Sequence, residues 1–370
     1  MSKIAELNKI GQSIWFDFIR RSIITSGELK TLVEKGITGV TSNPAIFEKA
    51  IAGSSDYDAD IQKLIKTGKS VEEIYEALAF EDITLAADVL RPVYESTNGK
   101  DGYVSLEVSP HLAYDTAKTI SEAKRLFETV NRTNLMIKVP ATPAGIPAIT
   151  ELIGSGVNVN VTLIFGLENY KSVADAYISG LEKLTENGPS AANGHPVDKV
   201  ASVASFFVSR VDTAVDEALD ELDSSDLQGK IAIANAKVAY AEFNHIFSGL
   251  RWQQLADNGA GVQRVLWAST GTKNPDYSDT MYVDELIGPH TVNTLPPTTL
   301  ESFIDHGKIA ETLTAGLDEA RQQLAELADL GIDLEAVTQK LQDEGVVAFA
   351  KPFEALIKSI AQKREKLSTA

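Results

Sequence analysis

Short apolar runs alternate with stretches of helical period along most of the chain. Eight runs are a few residues long, largely apolar and bounded by breakers, the signature of buried strands. They are Ile14–Phe18, Gly39–Ser42, Tyr103–Val108, Leu135–Val139, Val157–Leu163, Val200–Val208, Val262–Ser269 and His290–Leu295. Between them the period changes to that of a helix. Residues 3–12 and Ser26–Lys35 carry one apolar face each, the second built from Leu29, Leu32 and Val33. Ser70 and Glu73 stand at capping-box spacing and open a helix that runs to about Tyr94. Further helices are predicted at Asp115–Val130, Gly145–Ile153, Leu167–Leu184, Val211–Leu222 and Ile231–Phe247, with a Gly-, Pro- and Asn-rich loop over 185–197. From about Thr299 the chain is helical and charged.

Strands that alternate with helices imply a parallel sheet with helices packed over it. The simplest α/β architecture with eight such units is a single (β/α)8 (TIM) barrel domain over 1–370. It has an N-terminal helix at about 1–12, the barrel at about 13–310, and additional C-terminal helices at about 311–370. A doubly wound open sheet is disfavoured, because no Gly-x-Gly-x-x-Gly follows the first strand.

Composition narrows the function. The chain is 44% hydrophobic and 23% charged, with a formal net charge of −18, which argues against nucleic acid or an anionic membrane as partner. An anionic substrate therefore needs a local basic pocket. Zero cysteines exclude disulfides, zinc-thiolate sites and thiol nucleophiles, and fit a cytoplasmic protein. The five histidines, His111, His195, His245, His290 and His306, include no pair three or four apart, so no helical metal-binding pair is expected. No apolar run reaches the length of a membrane span, and the N-terminal residues show no signal-peptide core. An acidic surface leaves a homo-oligomer open.

The chemistry starts from Lys138, which interrupts the apolar strand Leu-Met-Ile-Lys-Val closed by Pro140. Lysine is seldom buried without a partner. Desolvation disfavours its charged form, and the free amine can form a Schiff base with a carbonyl. Taken alone, Lys138 can equally snorkel to the rim or pair with a carboxylate. The other strand ends weigh against that. In an eight-fold barrel the active site lies at the C-terminal ends of the strands. There stand Asp17, Asn43, Glu107, Asn160 with Thr162, Ser205 with Arg210, and Ser269 with Lys273 four residues on. Any one of them can be a cap or a rim residue. Together they supply two carboxylates for proton transfer, Asp17 and Glu107, and a hydroxyl to orient water, Thr162. Asn43, Asn160 and Ser205 can bond sugar hydroxyls, and Arg210 and Lys273 can bind a phosphate. Schiff-base chemistry on a phosphorylated sugar is the reading that uses all of them.

Five segments closely resemble transaldolase: Gly39-Val-Thr-Ser-Asn-Pro44, Val104-Ser-Leu-Glu-Val108, Met136-Ile-Lys-Val-Pro140, Asn158-Val-Asn-Val-Thr-Leu163 and Ser205-Phe-Phe-Val-Ser-Arg210. The likeness runs in order from about residue 10 to 310. Gly145-Ile-Pro-Ala-Ile149 and Asn293-Thr-Leu-Pro-Pro-Thr298 are similar to the long form of cyanobacteria and actinobacteria. The resemblance implies a metal-free, cofactor-free class I aldolase. Such an enzyme moves dihydroxyacetone from sedoheptulose 7-phosphate or fructose 6-phosphate to erythrose 4-phosphate or glyceraldehyde 3-phosphate, in the non-oxidative pentose phosphate pathway. It implies Lys138 as the Schiff-base lysine and Asp17 as the base for the C4 hydroxyl. Glu107, with a water held by Thr162, would serve the carbinolamine steps. Asn43, Asn160 and Ser205 would hold the dihydroxyacetone hydroxyls, and Arg210 and Ser269 the phosphate. Many members have an arginine just after the seventh strand; this chain has Ser269-Thr-Gly-Thr-Lys273, so Lys273 takes that role. Phe207 would line the site. A hydroxyl donor there would favour water as acceptor, and its absence leans toward transfer. The rival readings are a simple aldolase of the same class, a metal-dependent aldolase, a pyridoxal phosphate enzyme and a non-catalytic phosphosugar-binding barrel.

Overall fold

The computed structural model describes residues 2–191 and 197–368. Its centre is a closed barrel of eight parallel strands in sequence order, with the last paired to the first. The strands are β1 Gln12–Phe16, β2 Gly39–Val40, β3 Tyr103–Glu107, β4 Leu135–Pro140, β5 Val159–Ile164, β6 Ser202–Phe207, β7 Arg264–Ala268 and β8 Thr291–Leu295. β4, β5 and β6 are buried at every position, because helices cover the outside and side chains fill the inside. Trp15 and Trp267 are fully buried. Trp15 has room only because Gly39 stands opposite it in the β1–β2 register: a Cβ on Gly39 would come 2.5 Å from the indole ring. At the N-terminal end, the Trp15 indole N–H donates to Asp101 at 2.7 Å and Arg264 donates to Ser13 at 2.7 Å, so the barrel floor is tied together by polar contacts.

The single barrel matches the expected fold, with differences at element ends. β1 stops at Phe16, so Asp17 lies just beyond it. The Asp17 N–H continues the ladder to the Leu295 carbonyl at 2.9 Å, and its carboxyl lies at the barrel mouth. The loop expected over 185–197 is helical as far as Ala191, since the helix from Leu167 does not stop at Leu184. Thr185, within the expected loop, donates its hydroxyl to the Leu181 carbonyl at 2.8 Å inside that helix. Residues 192–196 of the expected loop lie outside the described residues.

Beyond β8 the chain forms helices Pro297–His306, Leu317–Asp329 and Leu334–Ser368. The last crosses the C-terminal mouth of the barrel and packs on helices Pro44–Ala52 and Asp58–Lys66. Leu356 and Ile360 are its fully buried anchors. Its Gln342 side-chain amide reaches the carbonyls of Ala141 and Leu163 and the Asn169 side-chain oxygen, each at 3.0 Å, so it is fastened to the ends of β4 and β5. Leu163 has a left-handed backbone (φ 61°) at a register shift in β5, where a buried carbonyl leaves the ladder and needs such a partner.

Candidate active site

At the mouth of the barrel is a cavity of about 140 Å³. Asp17, Asn43, Lys138, Thr162, Ser205, Phe207, Arg210, Ser269 and Lys273 line it. Strand register explains the convergence. Glu107, Lys138 and Asn160 are register partners across β3, β4 and β5, so their side chains leave the sheet on one side and at one height.

Lys138 is 5% exposed, near the end of a strand that is otherwise apolar. Its ammonium nitrogen has one hydrogen bond, to the Ser42 carbonyl at 3.2 Å, and no ion pair among the described residues. The nitrogen lies 5.9 Å from the centroid of the Phe349 ring, which comes down from the C-terminal helix. Two carboxyls flank it. Burial raises the pKa of Asp17, against the pull of Lys138, a hydrogen bond from Thr41 at 2.6 Å, and Lys273. Burial also pushes Glu107 up to about 7, helped by Asp17 and opposed by Lys138. Its Oε2 is buried and has no hydrogen-bond partner. Two carboxyls whose protonation is displaced toward neutral pH beside one amine are groups suited to proton transfer.

Of the residues singled out from sequence, Glu107 and Asn160 do not line this cavity. Glu107 lines an adjoining cavity of about 270 Å³. Asn160 lies under the floor, fully buried, donating to Ser105 at 3.0 Å and accepting from Ser205 at 2.7 Å. Both ends of its amide are engaged, so its visible effect is to hold the Ser205 hydroxyl in place. Asn43 is the N-cap of helix Pro44–Ala52, its Oδ1 accepting from the Ile46 N–H at 3.0 Å. Only its NH2 is left to donate into the cavity. The Thr162 hydroxyl is buried without a partner, as a water-holding group would be.

The cations stand on one side of the mouth. Arg210 lies 5.5 Å above the Phe207 ring, and burial lowers its pKa. Lys273 is at the exposed rim, where lost hydration and the neighbouring charge of Arg210 lower its pKa. Neither has an ion-pair partner among the described residues, which in a chain of net charge −18 leaves them free for an anion. Ser269 closes β7 with a left-handed backbone (φ 56°), its hydroxyl 3.0 Å from that of Ser209. Non-glycine residues held in that region cluster at functional sites.

Sequence reasoning missed Thr41, Thr294 and Phe349. The Thr41 hydroxyl bonds Asp17 and lies 2.6 Å from that of Thr294, orienting the carboxyl. Both sit within the motifs quoted above, Thr41 two residues before Asn43 and Thr294 next to Asn293. Phe349 carries no such signal, because it reaches the site only through the path of the last helix. Among the described residues no group of three His, Asp or Glu could hold a metal ion, and no helix is long and apolar enough to cross a membrane.

Residues 14–360 match the model of the transaldolase/fructose-6-phosphate aldolase family. A transaldolase of Trichodesmium erythraeum is 50% identical over 99% of this chain and 98% of its own length. A Nostoc protein named transaldolase 2 is 49% identical over 100% and 99%. A transaldolase of Thermobifida fusca is 47% identical over 98% of each chain.

Proposed function

Because the chain belongs to the transaldolase/fructose-6-phosphate aldolase family and is an enzyme of the transaldolase class, we propose that it transfers dihydroxyacetone between phosphorylated sugars through a Schiff base on Lys138. The donors are sedoheptulose 7-phosphate and fructose 6-phosphate. The acceptors are erythrose 4-phosphate and glyceraldehyde 3-phosphate, as in the non-oxidative pentose phosphate pathway. The observation that carries this reading is the Lys138 amine, buried between Asp17 and Glu107 in a cavity with Arg210 and Lys273 at its mouth.

Lys138 attacks the ketose carbonyl, and Glu107 with a water at Thr162 moves the protons that turn the carbinolamine into an iminium. Asp17 takes the proton from the C4 hydroxyl, the C3–C4 bond breaks and the aldehyde leaves. The electron pair of that bond stays on the dihydroxyacetone unit as an enamine, with the iminium as electron sink. Addition to the acceptor aldehyde reverses the sequence. Asn43 and Ser205 bind the dihydroxyacetone hydroxyls, Asn160 acts through Ser205, and Arg210, Ser269 and Lys273 take the phosphate. Phe207 presents no hydroxyl to activate water, which favours transfer over release of free dihydroxyacetone. The cysteine-free sequence fits a cytoplasmic location.

The test is borohydride reduction in the presence of fructose 6-phosphate, followed by peptide mapping. A dihydroxyacetone adduct on the peptide that contains Lys138 is expected. No adduct, or an adduct that persists in Lys138→Ala, overturns the Schiff base. Steady dihydroxyacetone release that erythrose 4-phosphate does not alter would instead support the simple aldolase.

A further inference from the structure

Glu107 belongs to a second cavity beside that of Lys138. The second cavity, of about 270 Å³, opens between helices Val71–Ser96 and Thr116–Val130 and the C-terminal helix. Asn43 lines both cavities. Ser42 lines the second, and its carbonyl accepts from the Lys138 amine at 3.2 Å. Glu107 stands at the inner end, with the buried, unpartnered Oε2 noted above. The cavity is roofed by apolar residues such as Phe353 and Ile357, and Glu72, Glu76 and Glu122 stand on its lining. It has room for several waters, each taking roughly 30 Å³, and the polar partners to hold them.

Resting on the Schiff-base reading above, we infer that this second cavity is the passage by which water leaves and re-enters during the formation and hydrolysis of the Schiff base, with Glu107 at its inner door. Condensation of an amine with a ketone releases one water. The carbinolamine hydroxyl takes a proton from the Glu107 carboxyl and departs as water. The nitrogen lone pair forms the C=N bond, and Glu107 is left as carboxylate. In the proposed complex a sugar phosphate fills the first cavity, whose lining includes Phe349, so the second cavity offers the released water a way out that the substrate does not occupy. There it meets hydrated space. On return, a water from the second cavity gives its proton to the Glu107 carboxylate and adds to the iminium carbon. The position of Glu107 near its own midpoint at neutral pH suits both directions.

Two substitutions fill the passage without touching the first cavity. Ala79→Leu adds bulk from a buried position on the lining, and Ile357→Trp adds it from a half-buried one that tolerates change more easily. The readout is incorporation of 18O from water into the C2 carbonyl of fructose 6-phosphate, together with the rate of borohydride-trappable adduct. The inhibition constant of glucitol 6-phosphate, which has no carbonyl, reports binding alone. In a folded variant, oxygen exchange and adduct formation are expected to fall about tenfold or more while glucitol 6-phosphate binding stays within about twofold. Unchanged exchange in either folded variant overturns the passage, and so does an equal loss of glucitol 6-phosphate binding. Absence of any adduct in the unaltered protein overturns the Schiff base itself, a result that is separate and recognisable.

Discussion

At Glu107, burial and the repulsion of Asp17 outweigh the attraction of Lys138, so the carboxyl titrates near 7 rather than near 4.5. The folded state therefore holds a proton that the unfolded chain has lost between those two values. Stability contributed by this group falls as pH rises from about 4.5 through about 7, and is flat beyond. Glu107→Gln is expected to remove that loss, stabilising the protein at pH 8 while leaving it nearly unchanged at pH 4.5, as urea unfolding at the two pH values will report. The same change should lower turnover by roughly two to four orders of magnitude, the range for an acid–base group. Lys138→Ala should abolish turnover and adduct while the fold survives. A large loss of melting temperature would mark Lys138 as a structural residue.

Elements set how far such residues can be read from a string. β4 was legible because a buried strand has no reason to hold a lysine unless something uses it. Asn160 was legible as a polar residue on a buried strand, but not its engagement with Ser105 and Ser205, which come from two other strands. Asn43 illustrates the other limit, since its cap on helix Pro44–Ala52 and its place in the cavity coexist on one amide. Gly39 has a plain consequence at this scale: Gly39→Ala should cost about 1–3 kcal/mol by overpacking Trp15, read as a lower urea midpoint. The C-terminal helix has another. Phe349→Ala should admit water to the enamine and raise dihydroxyacetone release from fructose 6-phosphate in the absence of acceptor. Gln342→Leu should do the same more weakly, since it removes the side-chain donor to the Leu163 carbonyl while Ala141 keeps its bond from Asn169 at 2.8 Å. Acceptor-free release measured for both variants checks this, and a ratio of release to transfer equal to that of the unaltered protein would count against a sealing role.

For the whole molecule, the net charge of −18 repels the phosphorylated sugars that its mouth is proposed to attract. Arg210 and Lys273 must offset that field locally, and charge-assisted bonds of this kind are worth about 1.5–3 kcal/mol each. Fructose should accordingly show a KM at least about tenfold above that of fructose 6-phosphate, from one such bond alone. Added salt should narrow the gap, because part of the attraction acts across solvent and is screened. A gap that salt does not change would point to contacts fully enclosed by protein.

Local physics in the sequence determined the eight strands, the parallel barrel, the lysine on β4 and the polar residues at the strand ends, because strand period, burial and the ends of helices are properties of neighbours along the chain. Tertiary structure alone decided what those residues face. Glu107 turns out to line a second cavity beside that of Lys138, Asn160 acts beneath the floor, and Phe349 arrives more than two hundred residues after Lys138 in the chain to lie over its amine. Each of these depends on how strands register around a closed barrel and on where the last helix crosses it. Lys138 was suspect from its own strand, and its surroundings had to be assembled from the seven others.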